Sequence, residues 1–173
     1  AFGIGTETSG SITSPTTECG LSGLRPTFGR VSRYGGMVLA WSQDRVGPIT
    51  RSAEDAAMVF NVIHGVDEKD PGTITMPFHF NANIDLSPLR IGVRRPQNPN
   101  APVDANFTAF VDKLKAMGAK THELAAPPTV AGSGGFGGES AAAFDSYVQW
   151  KAKELGMDMA TVLLTYGRAG GGG

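Results

Sequence analysis

Cysteine is nearly missing from this chain: Cys19 is the only one among 173 residues. An internal disulfide is therefore excluded, and no Cys/His spacing of a zinc site occurs. An excess of charge of either sign is missing too. Fifteen basic side chains stand against sixteen acidic ones, a formal net charge of -1, and no basic run offers a footprint for nucleic acid. No stretch approaches 18 consecutive apolar residues, and no charged region followed by an apolar one opens the chain, so neither a membrane span nor a signal peptide is visible. No Gly-Lys-Ser/Thr closes a glycine-rich run, which sets aside a Walker A loop. Neither metal nor cofactor is implied. What is present is 40% apolar and 18% charged residues, a globular composition whose length suits one domain with one core. Because it opens at Ala1 without a methionine, already inside a motif-like stretch, the chain is expected to be a fragment of a longer protein.

Glycine is abundant: 24 residues, about twice the average share. The glycines gather in the first forty positions, in residues 132–138 and in the final run 170–173; residues 168–173 are expected to be a disordered tail. Residues 2–36 are dense in Gly, Ser, Thr and Pro but carry Ile4, Ile12, Leu21 and Leu24, which reads as ordered, irregular chain of the kind that holds sites. From Arg51 the pattern becomes regular. Ser52 is a candidate N-cap with Asp55 three residues on, and Ala56, Val59, Phe60 and Ile63 recur at helical spacing before Gly65. Residues 66–88 read as a long surface connection with a turn at Asp70-Pro71-Gly72.

A strand over residues 89–93, a helix capped by Asp104 and stopped at Gly118, and a strand over residues 120–124 compose a βαβ unit with parallel strands. Phe107, Phe110, Val111 and Leu114 should form the helix's buried face. A further helix is predicted over residues 139–153 and a weaker one over 157–164.

The chemistry concentrates in Gly5-Thr6-Glu7-Thr8-Ser9-Gly10-Ser11-Ile12-Thr13-Ser14-Pro15. Glycines between hydroxyls let backbone amides approach a ligand and can set an oxyanion hole beside a nucleophilic serine. Anion binding by the same amides, or a Ser/Thr/Gly loop without activity, are readings that composition leaves open.

This segment resembles the core of the amidase signature family. The similarity continues through Cys19-Gly20-Leu21-Ser22-Gly23-Leu24-Arg25-Pro26-Thr27 up to Gly35, then Ser42-Gln43-Asp44, Val46-Gly47-Pro48-Ile49-Thr50-Arg51-Ser52 and Glu54-Asp55-Ala56. It extends more loosely to the strand at residues 89–93 and to Glu139-Ser140-Ala141-Ala142-Ala143-Phe144-Asp145. The resemblance implies an α/β fold with a mixed, largely parallel sheet flanked by helices, of which residues 1–173 are a partial domain. It implies an amidase that cleaves a carbon-nitrogen amide bond through a serine acyl-enzyme. Ser11 matches the nucleophile, and the backbone amides of Thr8, Ser9, Gly10 and Ser11 match the oxyanion hole. The family's base is a lysine acting through a serine with a cis peptide bond; both lie upstream of the nucleophile and neither is matched here, so the fragment alone is expected to be inactive.

The resemblance implies a small-molecule amide as substrate, no cofactor, no nucleic-acid or membrane contact, a cytoplasmic setting, and either a homodimer or the partner subunits of an amidotransferase. The alternatives are the glutaminase-type subunit of a tRNA-dependent amidotransferase and a non-catalytic α/β module that holds an anion.

Three departures from the family string stand out: Ser9 replaces glycine, Thr13 replaces arginine and so removes a fixed charge, and Glu7 replaces aspartate. Glu7 is read as a structural acceptor. His64, His79 and His122 lack the acid pattern of a catalytic histidine. The six lysines, Lys69, Lys113, Lys115, Lys120, Lys151 and Lys153, are assigned to solvation. Gly132, Gly134 and Gly137 satisfy Gly-x-Gly-x-x-Gly but follow no strand, and read as loop. Cys19 should be a small buried residue, and Arg25, Arg30 and Arg33 should form salt bridges or face solvent.

Overall fold

The computed structural model describes residues 1–95, 101–125 and 137–162. The chain divides into two compact units, residues 1–80 with 133–173, and residues 81–132.

In the first unit a three-stranded antiparallel sheet has the order β1-β3-β2, with β1 Gly3–Glu7, β2 Ser22–Gly23 and β3 Arg45–Thr50. Register pairs Gly3 with Ile49 and Glu7 with Arg45 along the first ladder, and Ser22 with Thr50 along the second. The short helix α1, Thr13–Cys19, follows β1 after one tight turn and ends at Gly20, whose φ of 61° is left-handed. None of these elements shows a hydrophobic period, so residues 2–36 read as irregular; their regularity comes from pairing with β3, whose register partners along β1 run from Ile49 opposite Gly3 to Arg45 opposite Glu7, far away in the chain.

Glycine's role here is packing more than ligand approach. Ile12, fully buried, sits against one glycine from each strand. A Cβ on Gly5 would lie 3.2 Å from its Cγ1, one on Gly23 3.0 Å from its Cγ2, and one on Gly47 3.2 Å from its Cδ1. Three strands without side chains at that point make a socket for the residue that follows Ser11. Gly47 is tightest, since a Cβ there would also lie 2.1 Å from the Leu24 carbonyl oxygen and 2.8 Å from Pro26 Cδ. Gly47→Ala must push backbone apart and should destabilise the full-length protein by about 3 kcal/mol, the upper range of overpacking. Thermal melts check this, and a shift below about 2 °C would contradict it.

Helix α2, Ala53–Ile63, is built as its caps foretell. Ser52 Oγ accepts from the Asp55 amide at 3.1 Å, Glu54 and Asp55 occupy the first turn, and Ala56, Ala57 and Phe60 are buried. Residues 66–80 carry no helix or strand. Helix α4, Gly137–Glu154, buries Ala152 and leaves Tyr147 and Trp150 exposed. A short helical turn covers residues 159–162. The predicted tail at 168–173, positions 163–164, Gly132 and Gly134 lie outside the described residues; Gly137 opens α4. No described helix is long and apolar enough to cross a membrane.

The second unit contains the predicted βαβ. Strand β4, Arg90–Val93, pairs in parallel with β5, Lys120–Glu123, from Arg90↔Lys120 to Val93↔Glu123, and α3, Ala101–Ala116, connects them. Sheet sense is thus mixed across the described residues. The helix starts three residues before the expected cap, so Asp104 lies in its first turn, where its carboxylate favours the helix dipole and pairs with Arg95. Gly118 stops it with φ 93°. The apolar face is narrower than the pattern suggests. Val111 is buried, Phe107 and Leu114 are half-buried, and Phe110 is 61% exposed; a two-stranded sheet is too narrow to cover four adjacent apolar positions.

Candidate active site

The chain turns sharply between β1 and α1, and Ser11 sits in that turn, exposed. The left-handed position falls on Gly10, with φ 117°. Serine at position 9 therefore leaves the glycine requirement of the turn met by its neighbour. Gly10 closes the turn through its carbonyl, which accepts from the Ser14 amide at 2.7 Å.

Glu7, the last residue of β1, holds the turn from beneath. Its Oε2 accepts from the amides of Ile12 at 2.9 Å and Thr13 at 3.0 Å, and its Oε1 lies 2.6 Å from Arg25 Nε. The carboxyl is 4% exposed. Burial pushes its pKa up, but the amides of Thr13 and Ile12, the Arg25 charge and the Gly10 amide together outweigh this and hold it below the ordinary glutamate value. The reading of Glu7 as a structural acceptor agrees with this geometry.

Ser11 lines a cavity of about 370 Å³ together with Thr6, Thr8, Val46 and the loop of residues 33–41. Asp44 organises that wall. Its Oδ1 accepts from Thr8 Oγ1 at 2.6 Å and its Oδ2 from the amides of Leu39 at 2.8 Å and Ala40 at 3.0 Å. Against burial, the Thr8 hydroxyl, these amides and Arg33 hold its carboxyl below the usual range. Ser42 is tied from outside: its amide donates to Glu139 Oε2 at 2.8 Å, and its hydroxyl donates to Oε1. The similarity of Ser42-Gln43-Asp44 to a family string marked this stretch without revealing what Asp44 does. That a short acidic side chain bonds loop amides four and five residues upstream is decided by the loop's path.

Arg33 joins the cavity loop to the turn at residues 67–73. Its Nε and Nη2 lie 3.1 Å and 3.2 Å from the two Asp70 oxygens, and its Nη1 donates to the Trp41 carbonyl at 2.6 Å. This bidentate bond, with burial opposing and the Arg33 and Gly72 amides assisting, lowers the Asp70 pKa from 3.8 to about 2. A depressed carboxylate stabilises the fold fully above the unfolded value and loses that contribution as pH falls through the folded one. About 2 kcal/mol should therefore disappear between roughly pH 4 and pH 2. In thermal melts over that range Asp70→Asn should be flatter than the parent by this amount; parallel curves would contradict it.

The other positively charged candidates are also engaged: Arg25 by Glu7, and Arg30 by the Met76 and Pro77 carbonyls and the Phe60 ring. No histidine lines the cavity. His64 stacks on Phe60 at 5.2 Å, while His79 and His122 are exposed. One expectation needs correction. Cys19 is exposed, because it ends α1, of which only Thr16 is buried. Lys69 is exposed, in keeping with its assignment to solvation, and borders the same cavity as Ser11; the fold of residues 66–73 against the Arg33 loop brings it there, which no local pattern could signal.

A family model described as Amidase matches residues 1–153. The glutamyl-tRNA(Gln) amidotransferase A-subunit of Deinococcus deserti is 41% identical over 128 residues, 72% of this chain and 26% of that protein. The chain thus spans about a quarter of the length of this curated relative. Among solved structures, the glutamyl-tRNA(Gln) amidotransferase A-subunit from Thermotoga maritima superposes with a TM-score of 0.74 at 26% identity, over 96% of this chain and 40% of that one. An amidase family protein from Bacillus anthracis gives a TM-score of 0.69 at 30% identity, over 86% of this chain and 31% of that one.

Proposed function

The chain belongs to the amidase family, and from that premise we propose that residues 1–173 are part of one amidase domain in which Ser11 attacks the amide. The observation that carries the reading is the position of Ser11, exposed in a strand-turn-helix corner at a cavity and fixed from below by Glu7 and the Ile12 socket. Attack of Ser11 Oγ on the carbonyl carbon forms a C–O bond while its proton passes to a base. The resemblance assigns that base to a lysine acting through a serine, neither matched in residues 1–173. The tetrahedral oxyanion is received by backbone amides of Thr8, Ser9, Gly10 and Ser11. Collapse breaks the C–N bond, the amine leaves with a proton, and water hydrolyses the remaining ester.

A second reading is supported by the curated relatives, which are amidotransferase A-subunits: the same serine would release ammonia from glutamine for a partner protein. A module that merely holds an anion is the non-enzymatic alternative. Labelling of the full-length protein by a fluorophosphonate probe, with the modified peptide mapped, separates them. An activated serine labels at Ser11. Absence of labelling, with no ammonia released from simple amides or glutamine, would sink both catalytic readings.

A further inference from the structure

The turn that carries Ser11 is gripped by a carboxylate at each end. Glu7 takes the amides of Ile12 and Thr13 on the helix side. On the strand side the backbone ladder between β1 and β3 stops at the pair formed by Glu7 and Arg45. One further step in the same register sets Thr8 opposite Asp44, and there a side-chain bond takes over from the ladder: Thr8 Oγ1 donates to Asp44 Oδ1 at 2.6 Å. Thr8 is buried, so water has little access to this bond, and a hydroxyl on a carboxylate makes one of the stronger hydrogen bonds available to a neutral side chain.

Asp44 is itself anchored. Its Oδ2 accepts from the Leu39 and Ala40 amides, its own amide donates to the Ala40 carbonyl at 2.9 Å, and Ala40 is fully buried. Against burial, the Thr8 hydroxyl and the two loop amides keep the carboxyl below the usual range, so at neutral pH it is charged and takes up no proton from Ser11. Its capacity is to place what it holds. We propose that Asp44 is a positioning residue for the reaction: by holding the Thr8 hydroxyl it fixes the Thr8 peptide, whose amide opens the donor set that receives the oxyanion. The proposal rests on the reading of Ser11 as the attacking group and of that donor set. Thr8 lies past the last ladder pair, and an N–H bond to an oxyanion weakens steeply once the donor swings off line.

The test is the rate at which a fluorophosphonate labels Ser11 in the full-length protein, taken per folded molecule with a thermal melt on each preparation. Ser11 Oγ forms the bond to phosphorus, fluoride leaves, and the phosphoryl oxygen stands where the carbonyl oxygen of an amide would. Thr8→Val keeps the shape and the backbone amide and removes only the hydroxyl; labelling should slow by about tenfold to a hundredfold. Thr8→Ser should restore most of the rate. Asp44→Asn trades a charged acceptor for a neutral amide, so it should slow labelling by less, and it should add nothing where Thr8 is already valine, because the two residues act through one bond. Unchanged labelling of Thr8→Val, or an Asp44→Asn loss that persists undiminished in the Thr8→Val background, overturns the proposal and leaves Ser11 as the attacking group. A loss that Thr8→Ser does not restore, or that only follows the loss of folded protein, makes the bond structural and overturns it as well. A parent that is not labelled at Ser11 removes the reading of Ser11, and the positioning role falls with it.

Discussion

Replacing Ser11 by alanine in the full-length protein should lower amide turnover on the order of a thousandfold or more. The substitution removes one oxygen from an exposed turn residue. The socket that holds Ile12 and the hydrogen bonds from Ile12 and Thr13 to Glu7 do not involve that oxygen, so the melting temperature should stay close to the parent's. Steady-state ammonia release and a thermal melt on the same preparation decide it. Near-normal turnover would end the assignment of Ser11, and a large loss accompanied by unfolding would move the role from chemistry to structure.

Glu7→Ala is expected to damage both stability and rate. It leaves the Ile12 amide, which is buried, and the Thr13 amide without their acceptor, and an unmet buried donor costs roughly 1 to 3 kcal/mol. The Arg25 pair adds less, because the Arg25 side chain is 37% exposed and its charge is screened. A total of about 2 to 4 kcal/mol is expected. The turn that carries Ser11 then loses its support, and a displacement of about 1 Å suffices for a hundredfold loss in rate. Glu7→Gln, which keeps one acceptor oxygen, should fall between the two. The contribution is present in full above the ordinary glutamate value of 4.5 and fades as pH falls below it, because the folded carboxyl is held lower than that. Chemical denaturation of the parent and both variants at neutral and acid pH measures it; equal stability at neutral pH would refute the supporting role.

Local signals in this chain were reliable where the cause of structure is itself local. Ser52 caps α2 because its hydroxyl reaches the Asp55 amide three residues on, a relation complete within one turn. Gly118 ends α3 because its backbone tolerates φ 93°. The parallel pairing of β4 with β5 follows from the length of the crossover between them. Where local pattern erred, the deciding partner was distant or too small. Phe110 is exposed because a pair of strands covers a narrower stripe than a helix periodicity assumes.

Ordered motifs from Gly5 to Ala56 were enough to read the family, the α/β class and the serine on which the chemistry is proposed to turn. Why the glycines stand where they do, and what surrounds that serine, emerged with the folded chain. Gly5, Gly23 and Gly47 lie far apart in the chain and form one socket for Ile12 because three strands align them. Asp44 becomes the organiser of the cavity wall, and Lys69 comes to its border, because the loop of residues 33–44 and the turn of residues 67–73 are clasped by Arg33 and Asp70. The physical reason is range. Caps, turns and periodicity act over a few residues and are written in neighbouring letters, whereas the steric fit of a socket and the field inside a cavity depend on groups that only folding brings together.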